Sequence, residues 1–144
     1  VWVTESPLAL DPLLRETEDV SSGALVIFVG TVRDENDNRP VGGMTYEAHV
    51  SLAEKVLREI EQEVLARFEV RRCRIQHRIG RLELGEPSVQ IVVRGGHRAA
   101  AYEASRYAID ELKRRAPIWK EEHYTDGASR YLDGTPLQSG GNSG

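Results

Sequence analysis

The residues best suited to chemistry lie between Gly95 and Glu122, in GGHRAAAYEASRYAIDELKRRAPIWKEE. The stretch opens on Gly95-Gly96-His97-Arg98, runs on as a helical pattern, stops at Pro117 and continues into Lys120. From Arg94 to Lys120 there are seven Lys/Arg against three acids, a local charge of +4 in a chain of net charge −4. A cationic zone on an acidic chain points to a small anionic ligand, because nucleic acid asks for a broad basic face. His97 and Arg98 stand at a helix start, where free N–H groups and the positive dipole end favour an anion. Lys113 lies beside Tyr102 and Ile109, on the border of the stripe Ala101, Ala104, Ala108 and Leu112. Partial desolvation there, with Arg114 and Arg115 nearby, lowers a lysine's pKa toward the range in which an amine works as base or nucleophile. Lys120, just past the proline stop, is the second such candidate. For Arg114 and Arg115 themselves, the plainer role is to complement the dipole in the last helical turn.

The elements that must position these groups follow from periodicity and turn chemistry. Val1 to Thr4 can form a short strand, and Asp11-Pro12 reads as an N-cap with proline at the first helical position. Ala24 to Val32, ALVIFVGTV, is a continuous apolar run, which predicts a buried strand ending at Arg33. Asp34 to Gly43 is polar and reads as a mobile loop. Met44 to Val50 alternates as a half-buried strand. Ser51-Leu52-Ala53-Glu54 has the spacing of a capping box, and the apolar residues behind it predict an amphipathic helix to about Phe68. Its polar face, with Glu59, Glu61, Glu63 and Arg67, reads as solvated. Val70 to Ile79 alternates again, placing Cys73, Ile75, His77 and Ile79 on one face. Cys73 is then a small buried side chain, and His77 a hydrogen-bonded core histidine. Gly80 and Gly85-Glu86-Pro87 are turns before the buried strand Ser88 to Arg94. Pro117 ends the focal helix by blocking the α region for Ala116. Ile118-Trp119 anchors the exit in the core, Thr125 to Gly127 turns, and Ala128 to Leu132 is a last strand.

At 144 residues the chain is one domain, taken as 1–133, with 134–144 a low-complexity, disordered tail. A single cysteine excludes an internal disulfide and fits a reducing compartment. No signal-peptide pattern and no apolar run near the ~20 residues of a membrane span is present, so the expected location is cytoplasmic. There is no Walker loop, no GxGxxG and no cluster of metal-ligand spacing, so neither a cofactor nor a metal is expected. Arg98 and Lys113 are fifteen residues apart on one helix, about 22 Å. One small ligand does not span that distance. His97-Arg98 of one copy is therefore expected to meet Lys113 and Lys120 of another, in a homodimer with composite active sites.

FVGTVRD (28–34), YEAH (46–49), HRIGRLELGE (77–86), VVRGGHRAAAYEA (92–104) and IDELKRRAPIWKEE (109–122) together resemble the catalytic subunit of molybdopterin synthase. The match covers Ala24 to Glu122, and its final block is the most specific. The resemblance implies an α+β fold of the α/β-hammerhead type, with a mixed or antiparallel sheet packed with two main helices. It implies a homodimer within a heterotetramer, and a small ubiquitin-like sulfur carrier whose C-terminal Gly-Gly ends in a thiocarboxylate. The reaction implied transfers sulfur to cyclic pyranopterin monophosphate, making the molybdopterin dithiolene. Carried over by position, the catalytic lysines are Lys113 and Lys120. The substrate-contacting positions are Thr31, Val32, Arg33, His97, Arg98, Lys113, Lys120, Glu121 and Glu122. Gly140-Gly141 is internal, so this chain is not expected to be the sulfur carrier itself. The competing reading is a non-catalytic module that grips a ubiquitin-like tail or a phosphate ligand.

Overall fold

The computed structural model describes residues 1–132, with side chains through Ser129. The tail read as disordered lies outside the described residues. Two sheets share the chain. The first has the order β1-β5-β7-β2, from Val3–Thr4 (β1), Val70–Arg78 (β5), Pro87–Gly95 (β7) and Ala24–Thr31 (β2). β1 is parallel to β5; the other pairs are antiparallel. The second has the order β3-β4-β8-β9, from Glu35–Asn36 (β3), Arg39–Ala48 (β4), Ile118–Tyr124 (β8) and Ser129–Leu132 (β9). Gly80–Leu82 (β6) adds to the free edge of β4 at Met44 to Tyr46.

Two long helices pack on the first sheet and on each other: Val50–Arg67 (α2) on β5, and Arg98–Arg115 (α3) on β7 and β2. The short helix Leu10–Glu16 (α1) touches β7. The core is built from Leu57, Ile60 and Val64 of α2, from Ile75, Ile91 and Val93 of the sheet, and from the alanine stripe of α3. Ala101, Ala104 and Ala108 are fully buried, and side chains this small let α3 lie close against β7 and β2. Gly80 (φ +97°) and Gly85 (φ +83°) carry the corners around β6, where an L side chain is strained.

Several expectations are corrected. The apolar run over Ala24–Thr31 is an edge strand. Only Ala24, Val26 and Phe28 pack on the core, while Leu25, Ile27 and Val29 are 37–42% exposed on the outer face. An unbroken apolar run says that both faces of a strand are greasy, not that both are covered. The segment read as a loop, Asp34 to Gly43, forms the β3–β4 hairpin. Its two turn residues, Asp37 (φ 52°) and Asn38 (φ 61°), have the left-handed backbone of a type I′ turn. α2 starts one residue before the proposed capping box, capped by His49, whose Nδ1 accepts from the Leu52 N–H at 3.2 Å. α1 starts at Leu10 after Ala9, so Asp11 lies inside its first turn. Glu61 leaves the solvated face of α2. It is buried, accepting from the Ile75 N–H at 2.8 Å and pairing with Arg74 at 3.0 Å. Burial raises its pKa, opposed by these donors. Ile118 anchors the exit of α3, but Trp119 is half-exposed.

Candidate active site

α3 and β8 meet at Pro117, and this junction sets the site. The residue before proline avoids the α region; Ala116 is extended (φ −72°, ψ 130°) and its N–H still closes the last turn on the Leu112 carbonyl at 2.9 Å. β8 then alternates strictly. Ile118, Lys120, Glu122 and Tyr124 are buried on one face, while Trp119, Glu121 and His123 reach the other. Lys120 is 4% exposed and stands in register opposite Tyr46 of β4. Lys113, half-buried in the last turn of α3, and Arg33, just after β2, complete a cationic group.

Electrostatics couple these side chains. Burial pushes the Lys120 pKa down to about 7; Lys113 and Arg33 push the same way, and Glu122 opposes them. Burial, then Arg33, lowers Lys113. Arg114 and Arg115, expected to depress Lys113, are instead neutralised by acids. Arg114 pairs with Glu111, and Arg115 with Glu63 at 2.7 Å and Glu111 at 3.1 Å. His77 of β5 is buried behind the lysines. Its Nδ1–H donates to the Arg78 carbonyl at 2.7 Å, and its ring meets Tyr46 edge-on at 5.0 Å. Burial, aided by Lys113 and Lys120, lowers its pKa to about 4, so it is neutral at neutral pH. The core histidine expected at 77 is therefore present, buried and hydrogen-bonded, and both lysines act on it. Cys73 is buried, and burial raises its pKa, which keeps it a thiol and a poor nucleophile.

The remaining candidates divide by place. Thr31 is exposed at the β2 bulge. Val32 is buried, its N–H bonded to the Glu86 carbonyl and its carbonyl accepting from Gly85, so it anchors the strand end that presents Arg33. Glu122 is fully buried on the Lys120 face, and Glu121 lies on the opposite face. His97 and Arg98 are exposed at the start of α3, at the end away from Lys113. A cavity of about 360 Å³ lies beside His97, lined also by Glu69, Val70, Arg71 and Gly96. A single chain thus gathers Arg33, Lys113, Lys120 and Glu122, and leaves His97 and Arg98 elsewhere. Sequence reasoning missed Asn36 and Tyr124, both bonded to Glu122. Asn36 was hidden in a hairpin read as a loop. Tyr124 was legible only by extending the alternation of β8 beyond Glu122. Among the described residues no group of three His, Cys, Asp or Glu is placed to hold a metal ion, and no helix is long and apolar enough to cross a membrane.

Residues 3–115 match the family model described as MoaE protein. Among curated relatives, the molybdopterin synthase catalytic subunit of a Nostoc species is 40% identical over 142 residues, covering 97% of this chain and 86% of that one. That of Pseudomonas aeruginosa is 46% identical over 117 residues, covering 81% and 77%. Among solved structures, molybdopterin synthase from Staphylococcus aureus superposes with a TM-score of 0.85 at 32% identity, covering 91% and 95% of the two chains. The MoaE protein of Burkholderia ambifaria follows at 0.78 and 30% identity, covering 96% and 92%. With its mixed sheets, its helices and its lysines beside the proline stop, this chain belongs to the MoaE protein family, that of molybdopterin synthase catalytic subunits.

Proposed function

We propose that the chain transfers sulfur from the C-terminal thiocarboxylate of a small ubiquitin-like partner to cyclic pyranopterin monophosphate, using Lys113 and Lys120. The observation that carries this reading is Lys120: a nearly buried amine, without ion pair or hydrogen bond among the described residues, with a pKa near 7. At that pKa ammonium and amine coexist at neutral pH, the condition a proton carrier needs. The partner's thiocarboxylate sulfur bonds to a substrate carbon as that carbon's C–O bond breaks, the oxygen leaving as water or staying on the opened phosphate, which makes a thioester to the partner's terminal carbonyl. Water then attacks that carbonyl, the acyl–sulfur bond breaks, the sulfur stays on the pterin and the partner leaves as a carboxylate. Two such transfers, from two partner molecules, supply the two sulfurs of the dithiolene. Lys120 in its amine form takes the proton from the attacking water. Lys113 faces the developing oxyanion as a cation. Arg33 attracts the cyclic phosphate of the substrate, as do His97 and Arg98 of a second copy. Thr31, Val32, Glu121 and Glu122 are the further positions assigned to substrate contact.

The test is incubation of the chain with thiocarboxylated partner and pterin substrate. Dithiolene should form with wild type and not with Lys113→Ala, while Lys113→Ala still binds the partner. A domain that only grips the tail would bind the partner and yield no dithiolene in any variant.

A further inference from the structure

Lys120 and Glu122 are two residues apart on one face of a strand, both buried, and they act on each other electrostatically. Side chains so placed start about 6.5 Å apart, within reach of an ion pair for a lysine and a glutamate. Yet no carboxylate among the described residues pairs with Lys120. The carboxylate of Glu122 is held elsewhere. Its Oε1 accepts from Asn36 Nδ2 at 3.0 Å and from the Tyr124 hydroxyl at 2.8 Å. Its Oε2 is buried with no hydrogen-bond partner, as is Oδ1 of Asn36. A buried oxygen left unpaired costs free energy, and the contact that would relieve it lies two residues away and is not made.

The two clamping groups are themselves fixed. Asn36 rides on the β3–β4 hairpin, whose Arg39 stacks over the Tyr124 ring at 3.7 Å and pairs with Asp126 at 2.9 Å. The hairpin and the end of β8 thus both hold Glu122, and the Arg39–Asp126 pair ties the hairpin to the turn that follows β8. Other charged and titratable groups act on the pair as well. Lys113 comes from α3, Arg33 from the β2–β3 connection, His77 from β5 and Tyr46 from β4. Arg130 of β9 is the register partner of Glu122.

We propose that Asn36 and Tyr124 are positioning residues: by holding Oε1 of Glu122 they keep its carboxylate from pairing with Lys120, so that the amine stays unpaired in the site. The proposal rests on the reading of Lys120 as a working amine. Neither residue touches substrate in it; both act through Glu122.

The chain has three lysines, at 55, 113 and 120, so a lysine-labelled sample of the full chain gives three side-chain NMR signals to titrate. In Tyr124→Phe one of the two bonds that hold Oε1 is lost, the loosened carboxylate can turn toward Lys120, and the Lys120 midpoint should rise by about half a pH unit or more, while Lys55 stays put. In a Glu122→Gln background the same substitution should move nothing. With the partner and pterin substrate present, the pH limb of sulfur transfer should shift alkaline by the same amount. A Lys120 midpoint that stays or falls in Tyr124→Phe overturns the proposal, as does a rise that persists with Glu122→Gln. Should Tyr124→Phe not fold, Asn36→Ala carries the same expectation. The NMR titration needs no turnover. Absence of dithiolene formation in wild type would therefore sink the functional reading and leave the clamp to be judged by the titration.

Discussion

Lysine is scarce in this chain: three residues among nineteen basic ones, with two of the three at the site. Arginine cannot give up its proton in a protein, whereas a buried lysine can. Several other cations, among them Arg74, Arg114 and Arg115, are arginines bound to carboxylates. This division assigns roles that substitution can separate. Lys120→Arg keeps the charge and loses the titration, so single-turnover sulfur transfer should fall by about 100-fold or more. Lys113→Arg should keep a larger share of the rate, because a cation facing an oxyanion need not release a proton. Equal losses in the two variants would remove the distinction. The buried amine also affects stability. Its pKa is depressed from 10.5 to about 7 in the folded chain, so between those values the unfolded state binds the extra proton. Stability from this group is therefore lost as pH falls from 10.5 toward 7 and is constant below. Lys120→Met should raise the melting temperature at pH 7, with the gain shrinking toward pH 10, as thermal melts across that range would reveal.

At the level of elements, α3 does most of the positioning, and it does so by being thin. Its buried stripe of alanines seats it on β7 and β2, which fixes how Lys113 meets Arg33. Ala108→Leu should cost about 1–3 kcal/mol by overpacking, read by urea denaturation, and should lower sulfur transfer beyond the loss of folded protein because the last turn lifts. An unchanged rate per folded molecule would show that the lysine pair tolerates movement of the helix. The helices and the strands Val70–Arg78 and Pro87–Gly95 were legible because burial imposes a period of 3.6 or 2 on their apolar residues. The β3–β4 hairpin was not. Its side chains lie mostly at the surface, so no apolar period marks it, and Asp37-Asn38 lacks the glycine that announces such a turn. Hidden with it was Asn36, whose amide reaches Glu122 from 86 residues away in sequence.

For the molecule as a whole, the separation of His97-Arg98 from Lys113 along α3 is the fact that asks for a second copy. One protomer places these groups at opposite ends of an 18-residue helix. Arg98→Ala and Lys113→Ala, each inactive alone, should recover part of the activity when mixed, since some hybrid dimers carry one intact composite site. No recovery on mixing, or a fully active monomer by sedimentation, would confine the site to one protomer. β2 is the edge strand of its sheet, and its outer face presents Leu25, Ile27 and Val29.

The amino-acid sequence by itself singled out the candidate groups: two lysines on either side of a helix stop, an arginine at a strand end, and a lone cysteine on the apolar face of a strand. Local rules reach that far because helix borders, proline stops and strand alternation act over a few neighbours. Only the tertiary structure decided what surrounds each amine. Arg114 and Arg115, adjacent in sequence, turn away to Glu111 and Glu63, while Arg33 arrives from the segment after β2 and His77 from β5. The state of a buried charge depends on desolvation and on neighbours within a few ångströms, and in this chain those neighbours are brought together by sheet pairing rather than by sequence order.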